Sequence, residues 1–200
     1  MDNNNILDES LFDKIKSEMT DAKLKARTQK SREWMMENIK NLSVNRRNLL
    51  KDPERFARQI FPGKMYFFAY DPKLKEELPY YDTYPVILAV ERYNDGFLGL
   101  NLHYLPLKYR IIFLDRLYKT ISNKRFSDSA KLKINYDILK SSTRFKGFEP
   151  CLKRYLTEHI RSRVLVIEPK LWEIALFLPI EKFAKKKAST VQRESIQSIS

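Results

Sequence analysis

The chain has 200 residues, 43% of them hydrophobic and 32% charged, which suits a compact core and argues against wholesale disorder. It contains only 4 glycines, 1 cysteine and 2 histidines. These counts argue against a dinucleotide-binding fold, a disulfide framework and a multi-cysteine or histidine-based metal site. No apolar run approaches the ~20 residues of a membrane span, and the first ten residues do not resemble a signal peptide. We therefore expect no cofactor, no membrane partner and a location inside a cell, or in a particle assembled there.

The positive charge is concentrated in the second half of the chain. The net charge is +13, from 38 basic and 25 acidic residues. Residues 1–60 hold 13 basic and 10 acidic residues, residues 61–115 hold 6 and 7, and residues 116–200 hold 19 and 8. Because like charges repel one another in a folded chain, this excess indicates a polyanionic partner, most often nucleic acid. A membrane or acidic protein partner, and the lysine-rich codon usage of an AT-rich genome, are the alternatives.

The first 60 residues are predicted to form a helical arm. Residues 8–42 contain no proline or glycine, and apolar residues recur there at helical spacing. Residues 21–32 are almost entirely polar, so we expect them to be exposed or to lie on another molecule. A second helix is predicted within residues 42–62, with Asp52 and Pro53 as a favourable start.

The middle of the chain has the pattern of a small antiparallel sheet. Residues 64–70, 86–90 and 97–102 are rich in aromatic and β-branched side chains, as strands are. The second and third strands should form a hairpin, because Asn94, Asp95 and Gly96 between them favour a tight turn. One form that such a short, strongly bent sheet could take is SH3-like.

The remainder is predicted to alternate helices and strands. We predict an amphipathic helix over residues 107–121, a strand over 131–139, a basic helix from Glu149 to about residue 163, and a strand over 164–167. Residues 171–178 are apolar enough to be buried. The predicted fold is therefore α+β, with a helical arm (1–60), an α+β core of sheet and packed basic helices (61–187), and a frayed tail (188–200).

A catalytic site has little support in the sequence. Glu168 and Lys170 follow a predicted strand, an arrangement that some magnesium-dependent nucleases use, and Asp137 is the nearest upstream carboxylate that could complete it. Glu-x-Lys also occurs by chance in basic chains, where it is a solvated pair. We expect no enzymatic activity and keep the end-processing nuclease as an alternative.

The remaining reactive side chains are expected to pack in the core. His103 and His159 have no evident nucleophile nearby, and His159 lies on the apolar side of its predicted helix. Cys151 falls in the first turn of that helix without a second cysteine or a base.

Five tyrosines could stack on the bases of a single strand or a frayed DNA end, but more often such a set fills the core of a small sheet. We favour the core, with Tyr80 and Tyr81 as the more exposed pair. The five are Tyr66, Tyr70, Tyr80, Tyr81 and Tyr84.

Basic residues in the last quarter of the chain are the candidate nucleic-acid contacts. On one flank of a helix they would follow a phosphate backbone without reading sequence, and no zinc finger, basic zipper or RNA-recognition motif is present. The candidates are Lys153, Arg154, Arg161, Arg163, Lys182, Lys185, Lys186 and Lys187.

Several segments resemble a protein family found in large contractile-tailed phages. The family is commonly described as the DNA end protector of T-even-like phages. The resemblance rests on residues 95–105 (DGFLGLNLHYL), 78–82 (LPYYD), 153–163 (KRYL…H.RSR) and 172–179 (W..ALFLP). It covers roughly residues 61–187 and not the N-terminal arm.

The resemblance implies a virion protein that acts at the DNA entrance. It would bind the end of packaged double-stranded DNA without sequence specificity and shield that end from host exonuclease, and it would pass through the host cytoplasm during assembly. A structural neck, tail or baseplate component, reaching other virion proteins through its N-terminal helix, is the main alternative.

Overall fold

The computed structural model describes residues 11–25, 27–40, 42, 44–51, 55–121, 137 and 146–197, and within them the chain has an α+β fold. The helices are α1 (Leu11–Asp21), α2 (Gln29–Ile39), α3 (Arg46–Leu49), α4 (Leu107–Ile121), α5 (Trp172–Phe177) and α6 (Ala188–Gln197). The strands are β1 (Met65–Phe67), β2 (Tyr81–Asp82), β3 (Val86–Arg92), β4 (Gly96–Asn101), β5 (Leu152–Leu156), β6 (Leu165–Ile167) and β7 (Phe183–Ala184).

Five strands form one antiparallel sheet in the order β5-β4-β3-β1-β6, and β2 pairs with β7 in a separate ladder. The expected hairpin is confirmed as β3 and β4. The predicted strand at 164–167 is confirmed as β6, which pairs with β1. Facing Gly99, β3 carries a bulge between Ala89 and Glu91. At Gly99 itself, an added Cβ would lie 3.1 Å from Ile87 Cδ1, so the strands approach closely there.

Both faces of the sheet are covered by apolar side chains. Successive strand residues point to opposite faces, so Met65 and Phe67 enter the main core, whereas Tyr66 enters a second cluster. The main core lies between the sheet and the helices. The second cluster is largely aromatic, with Tyr155 stacked on Phe97 at a ring separation of 5.4 Å. This double burial explains why β3 begins with an unbroken apolar run.

The N-terminal region differs from the single long helix that was predicted. It forms α1 and α2, and between them Lys23 and Arg27 have positive φ angles of 55° and 71°. Thr28 caps α2 by accepting a hydrogen bond from the Ser31 backbone N–H. Apolar residues of both helices, among them Ile15 and Met35, are buried in the main core.

The polar stretch at residues 21–32 is only partly exposed, because two of its arginines pair with carboxylates far along the chain. Arg27 and Arg32 each place Nη2 2.7 Å from Asp115 Oδ1, and Arg32 Nη2 also lies 3.0 Å from Glu173 Oε1. Arg27 stacks over the ring of Tyr118 at 3.6 Å. These ion pairs hold the connection between α1 and α2 against α4 and α5.

The basic helix predicted from Glu149 to about residue 163 is wrong. Its first part is a 3-10 turn followed by the edge strand β5, and a second 3-10 turn covers Thr157–His159. The segment is extended because β4 offers it a ladder in which Leu98 faces Arg154 and Gly99 faces Lys153. The predicted amphipathic helix at 107–121 is confirmed as α4.

Three further segments depart from expectation or fall outside the described chain. Of the helix predicted within residues 42–62, the described part contains α3, and Phe56 forms a β-bridge with Leu165. Its predicted start at Asp52 and Pro53 lies outside the described residues. Residues 188–197 form helix α6, with Val191 buried, where a frayed tail was expected. The strand predicted at 131–139 lies outside the described residues except for Asp137, which is helical. The division into three units stays a prediction.

Candidate nucleic-acid interface

An open basic cleft lies beside the β1–β6 edge of the sheet. Its volume is about 640 Å³, and four cationic side chains line it: Arg47, Lys51, Arg161 and Arg163. The other lining residues are Leu50, Phe56, Ala69, Tyr84 and Ser162. None of these described lining residues is acidic, so the cleft presents positive charge on an apolar and aromatic floor.

The two arginines of the 161–163 segment are held in place by their backbone. The Arg161 N–H donates to the Ala69 carbonyl at 2.8 Å, and the Ala69 N–H donates to Ser162 Oγ at 2.8 Å. The next residue, Val164, accepts a 2.8 Å hydrogen bond from the Ala57 N–H. Because this short segment is fixed on both sides, the exposed side chains of Arg161 and Arg163 leave it from a rigid base.

The opposite wall comes from the end of α3. Asn45 caps this helix, and its Oδ1 accepts a 3.0 Å hydrogen bond from the Arg47 N–H. Leu49 and Leu50 anchor the turn in the core, so Arg47 and Lys51 project into solvent. Within the part of the chain that the structure describes, neither side chain is paired with a carboxylate.

Arg161 and Arg163 have different surroundings. Arg161 donates to the Glu158 carbonyl at 3.3 Å and lies 3.9 Å from Asp71 Oδ2, with half of its side chain exposed. The guanidinium of Arg163 lies over the ring of Phe56, 4.8 Å from its centroid. A guanidinium on an aromatic ring keeps its edge donors available to a phosphate.

The aromatic floor belongs to the core of the protein. Tyr84 stacks on Phe67 with ring centroids 6.2 Å apart, and its backbone N–H donates to Asp82 Oδ1. Both Tyr84 and Phe56 are half-buried, so each packs on the core and also borders the cleft. The cleft therefore offers aromatic surface as well as positive charge.

Lys153 and Arg154, the first two predicted contacts, lie on β5 and do not line the cleft. Lys153 is half-buried, with Nζ 4.5 Å from the centre of the Tyr104 ring, and burial lowers its pKa. Arg154 forms an ion pair with Asp95 and stacks over Tyr93 at 4.1 Å.

The four predicted lysines of the 182–187 segment serve different contacts. Lys185 donates to the carbonyls of residues 75, 76 and 78 at 2.7 to 3.1 Å, which holds that turn against the body. Lys186 pairs with Glu194 at 2.8 Å. Lys182 and Lys187 are exposed. Of the eight predicted residues, the structure thus brings Arg161 and Arg163 together in the cleft.

Comparison with known proteins identifies the family. The chain matches, over residues 2–197, the family model described as Phage T4 terminal DNA protecting protein. The chain belongs to this family. No curated protein and no solved structure matches it. The family match confirms the resemblance seen in the sequence, and it also corrects its extent, because the N-terminal helices lie within the matched region.

The protein has a buried polar network beneath the 181–197 segment. His103 Nδ1 lies 2.6 Å from Asp82 Oδ2, and Asn101 donates 3.0 Å hydrogen bonds to that same oxygen and to the Tyr155 hydroxyl. Burial raises the pKa of Tyr155 well above its usual value. His103 Nε2 has no partner among the described residues. The network lacks a nucleophile and serves to join β2, β4 and β5.

Arg110 of α4 is buried next to this polar network. It is 2% exposed and donates to the Leu105 and His103 carbonyls at 2.7 and 3.3 Å, and to Glu181 Oε1 at 3.2 Å. Burial acts to raise the pKa of Glu181, but proximity to His103 and Arg110 outweighs it, so the pKa lies below its usual value. Arg110 therefore ties the 181–197 segment to α4.

The nuclease candidates form a surface pair in this family member. Lys170 Nζ lies 2.6 Å from Glu168 Oε2, and this hydrogen bond lowers the pKa of the carboxyl. Among the described residues there is no cluster of three metal-ligating side chains, and no helix there is long and apolar enough to cross a membrane.

The expected core roles hold for two of the three reactive side chains. Cys151 is buried, and burial raises its pKa to about 12. His103 is buried on Asp82, whereas His159 is half-buried, with Nδ1 2.9 Å from the Asp71 carbonyl. Tyr66 and Tyr70 are core residues, and Tyr80 and Tyr81 are half-buried.

Sequence reasoning missed Arg47, Lys51 and Phe56. The basic run at residues 46–51 was visible in the sequence, but it lies more than 100 residues from Arg161. Only the fold brings the two runs together.

Proposed function

We propose that this protein binds the ends of double-stranded DNA through its basic cleft, without sequence specificity, and blocks nucleases sterically. The observation that carries the proposal is the cleft itself, where Arg47, Lys51, Arg161 and Arg163 converge with no acidic residue among the described lining. The family description, which names protection of terminal DNA, points to the same ligand.

The geometry suits contact with phosphates rather than base readout. Arginine binds phosphate oxygens through a rigid fork of donors, and lysine acts as a point charge. The cations sit on short, fixed segments instead of on a long helix that could enter a major groove. Binding should therefore be strongly salt-dependent and nearly independent of sequence.

Protection requires no chemistry from the protein. A chain that covers a DNA end hides it from an exonuclease, and Glu168 and Lys170, the sequence's candidate nuclease pair, are bonded to each other at the surface. The protein would act in the virion, where it would also meet other virion proteins. Because α1 and α2 use apolar residues in their own core, such contacts would use exposed side chains such as Met36.

Neutralising two cleft arginines tests the proposal. Arg161→Gln with Arg163→Gln should weaken binding to a short linear duplex, measured by fluorescence anisotropy between about 50 and 200 mM salt. Each lost phosphate contact flattens the slope of log K against log salt by about 0.9, so the pair should flatten it by about 1.8. The same variant should leave a linear duplex more open to exonuclease digestion.

The matched control removes the same charge elsewhere. Arg92 and Arg116 are exposed and lie outside the cleft, so Arg92→Gln with Arg116→Gln should change the slope little. If the cleft variant and the control variant flatten the slope of log K against log salt equally, DNA binding depends on net charge and not on the cleft. A covalently closed minicircle that competes as well as the linear duplex would refute end binding.

A further inference from the structure

The cleft is too small to admit a duplex. Its volume of about 640 Å³ equals that of a cube roughly 9 Å on an edge. The major groove of B-DNA alone is about 12 Å wide, and the whole duplex is wider still. A duplex can therefore lie across the cleft, whereas an unpaired nucleotide is small enough to enter it.

The floor of the cleft suits an unpaired base. Tyr84 packs on Phe67 and also borders the cleft, so its ring is backed by the core and presented to a ligand. Phe56 is covered by the guanidinium of Arg163, which leaves Tyr84 as the aromatic side chain for stacking. Aromatic rings stack on any base, because every base has a π-face.

The cations surround this floor from two sides. Arg47 and Lys51 come from the end of α3, and Arg161 and Arg163 come from the segment before β6. A backbone that enters between these walls would meet cations on both sides while its base turns toward Tyr84. Positive charge combined with an aromatic platform is the arrangement that single-strand binding proteins use.

We infer that the cleft binds an unpaired nucleotide at the DNA end, with its phosphates on the four cations and its base on Tyr84. This inference rests on the proposed function and adds a preference to it. Ends that carry a single-stranded overhang, or that fray readily, bind more tightly than blunt ends, because a blunt end must first lose a base pair.

The test compares duplexes of the same sequence that end blunt or with a four-nucleotide overhang, against a closed minicircle. The wild-type protein should bind the overhang more tightly than the blunt end by about 5- to 150-fold, the usual effect of one stacked base. Tyr84→Leu should abolish this preference, whereas Tyr84→Phe should retain it. Tyr109, exposed on α4 outside the cleft, provides the control Tyr109→Leu, which should behave as wild type.

The outcomes separate this inference from the proposed function. Equal affinity for blunt and overhanging ends, both above the minicircle, would overturn the unpaired-nucleotide site and leave end binding intact. Equal affinity for all three DNAs would overturn both. A preference that survives in Tyr84→Leu, with circular dichroism confirming that the variant is folded, would remove Tyr84 as the stacking platform and refute the inference.

Discussion

Replacing Arg110 with methionine should destabilise the protein severely. The guanidinium is 2% exposed, and burial lowers its pKa, yet an arginine stays charged in a protein. It donates hydrogen bonds to Glu181 and to the His103 and Leu105 backbone carbonyls, which lie just before α4. Methionine fills a similar length but donates no hydrogen bond, so it leaves these acceptors and the half-buried Glu181 carboxylate without their partner.

The magnitude follows from those lost contacts. Removing one member of a buried ion pair costs about 3–5 kcal/mol. Here Glu181 is half-buried, and the loss also includes the backbone carbonyls that Arg110 no longer pairs. An unfolding entropy of about 2.1 cal/mol/K per residue gives roughly 0.4 kcal/mol/K for the 200 residues of the chain. Arg110→Met should therefore lower Tm by roughly 7–12 °C.

Thermal and urea unfolding, each followed by circular dichroism, measure this loss. Arg110→Met combined with Glu181→Gln should recover part of it, because the second change removes the stranded charge. A loss below about 1 kcal/mol in the single variant, or no recovery in the double variant, would refute the reasoning.

The same pair predicts a pH dependence. Because the pKa of Glu181 is lowered in the folded protein, its contribution to stability is present above its unfolded pKa of about 4.3. That contribution is lost as the pH falls through the lower folded value. Glu181→Gln should therefore lose less stability than the wild type on acidification below about pH 4.3.

Two smaller predictions concern β4 and the single cysteine. An added Cβ at Gly96 would lie 1.9 Å from the Tyr155 carbonyl oxygen, so Gly96→Ala should force β4 and β5 apart and cost about 1–3 kcal/mol in urea unfolding. The nearest atoms to a Cβ at Gly99 belong to the Ile87 side chain, at 3.1 Å or more, so Gly99→Ala should cost less, and equal losses would contradict this account. Because burial raises the pKa of Cys151 to about 12, a thiol reagent at pH 8 should label it only as fast as the chain opens. Rapid labelling of the native protein would contradict its burial.

Local patterns were sufficient to predict the hairpin and helix α4. The turn residues ending at Gly96 and the apolar strands on either side determine the β3–β4 pairing. The three- and four-residue spacing of apolar side chains in α4 matches the face that the structure buries. Both elements depend on neighbours within a few residues, which the sequence shows directly.

Long-range pairing explains the failure at β5. Leu152, Tyr155 and Leu156 have helical spacing, but the ladder with β4 and the aromatic cluster around Tyr155 favour an extended chain. Periodicity cannot separate a short helix from a short strand when a distant partner decides between them. The prediction of a basic helix flank failed for this reason.

The sequence predicted one wall of the candidate site and missed the other. Charge alone indicated Arg161 and Arg163, and the family resemblance indicated DNA. The opposite wall, with Arg47 and Lys51, depends on how α3 packs, and no local signal specifies that. The six other predicted cations lie outside the cleft. Among them, Arg154 and Lys186 form ion pairs, and Lys185 donates to backbone carbonyls.

The position of β1 inside the sheet, between β3 and β6, affects how the protein is made. This strand pairs with β6, which lies about 100 residues further along the chain. A ribosome adding about 5–20 residues per second needs roughly 5–20 s to synthesise that interval, and β1 has an unpaired edge throughout. The nascent chain thus stays exposed to aggregation until nearly all of it has been translated, so chaperone supply and expression temperature should govern its yield.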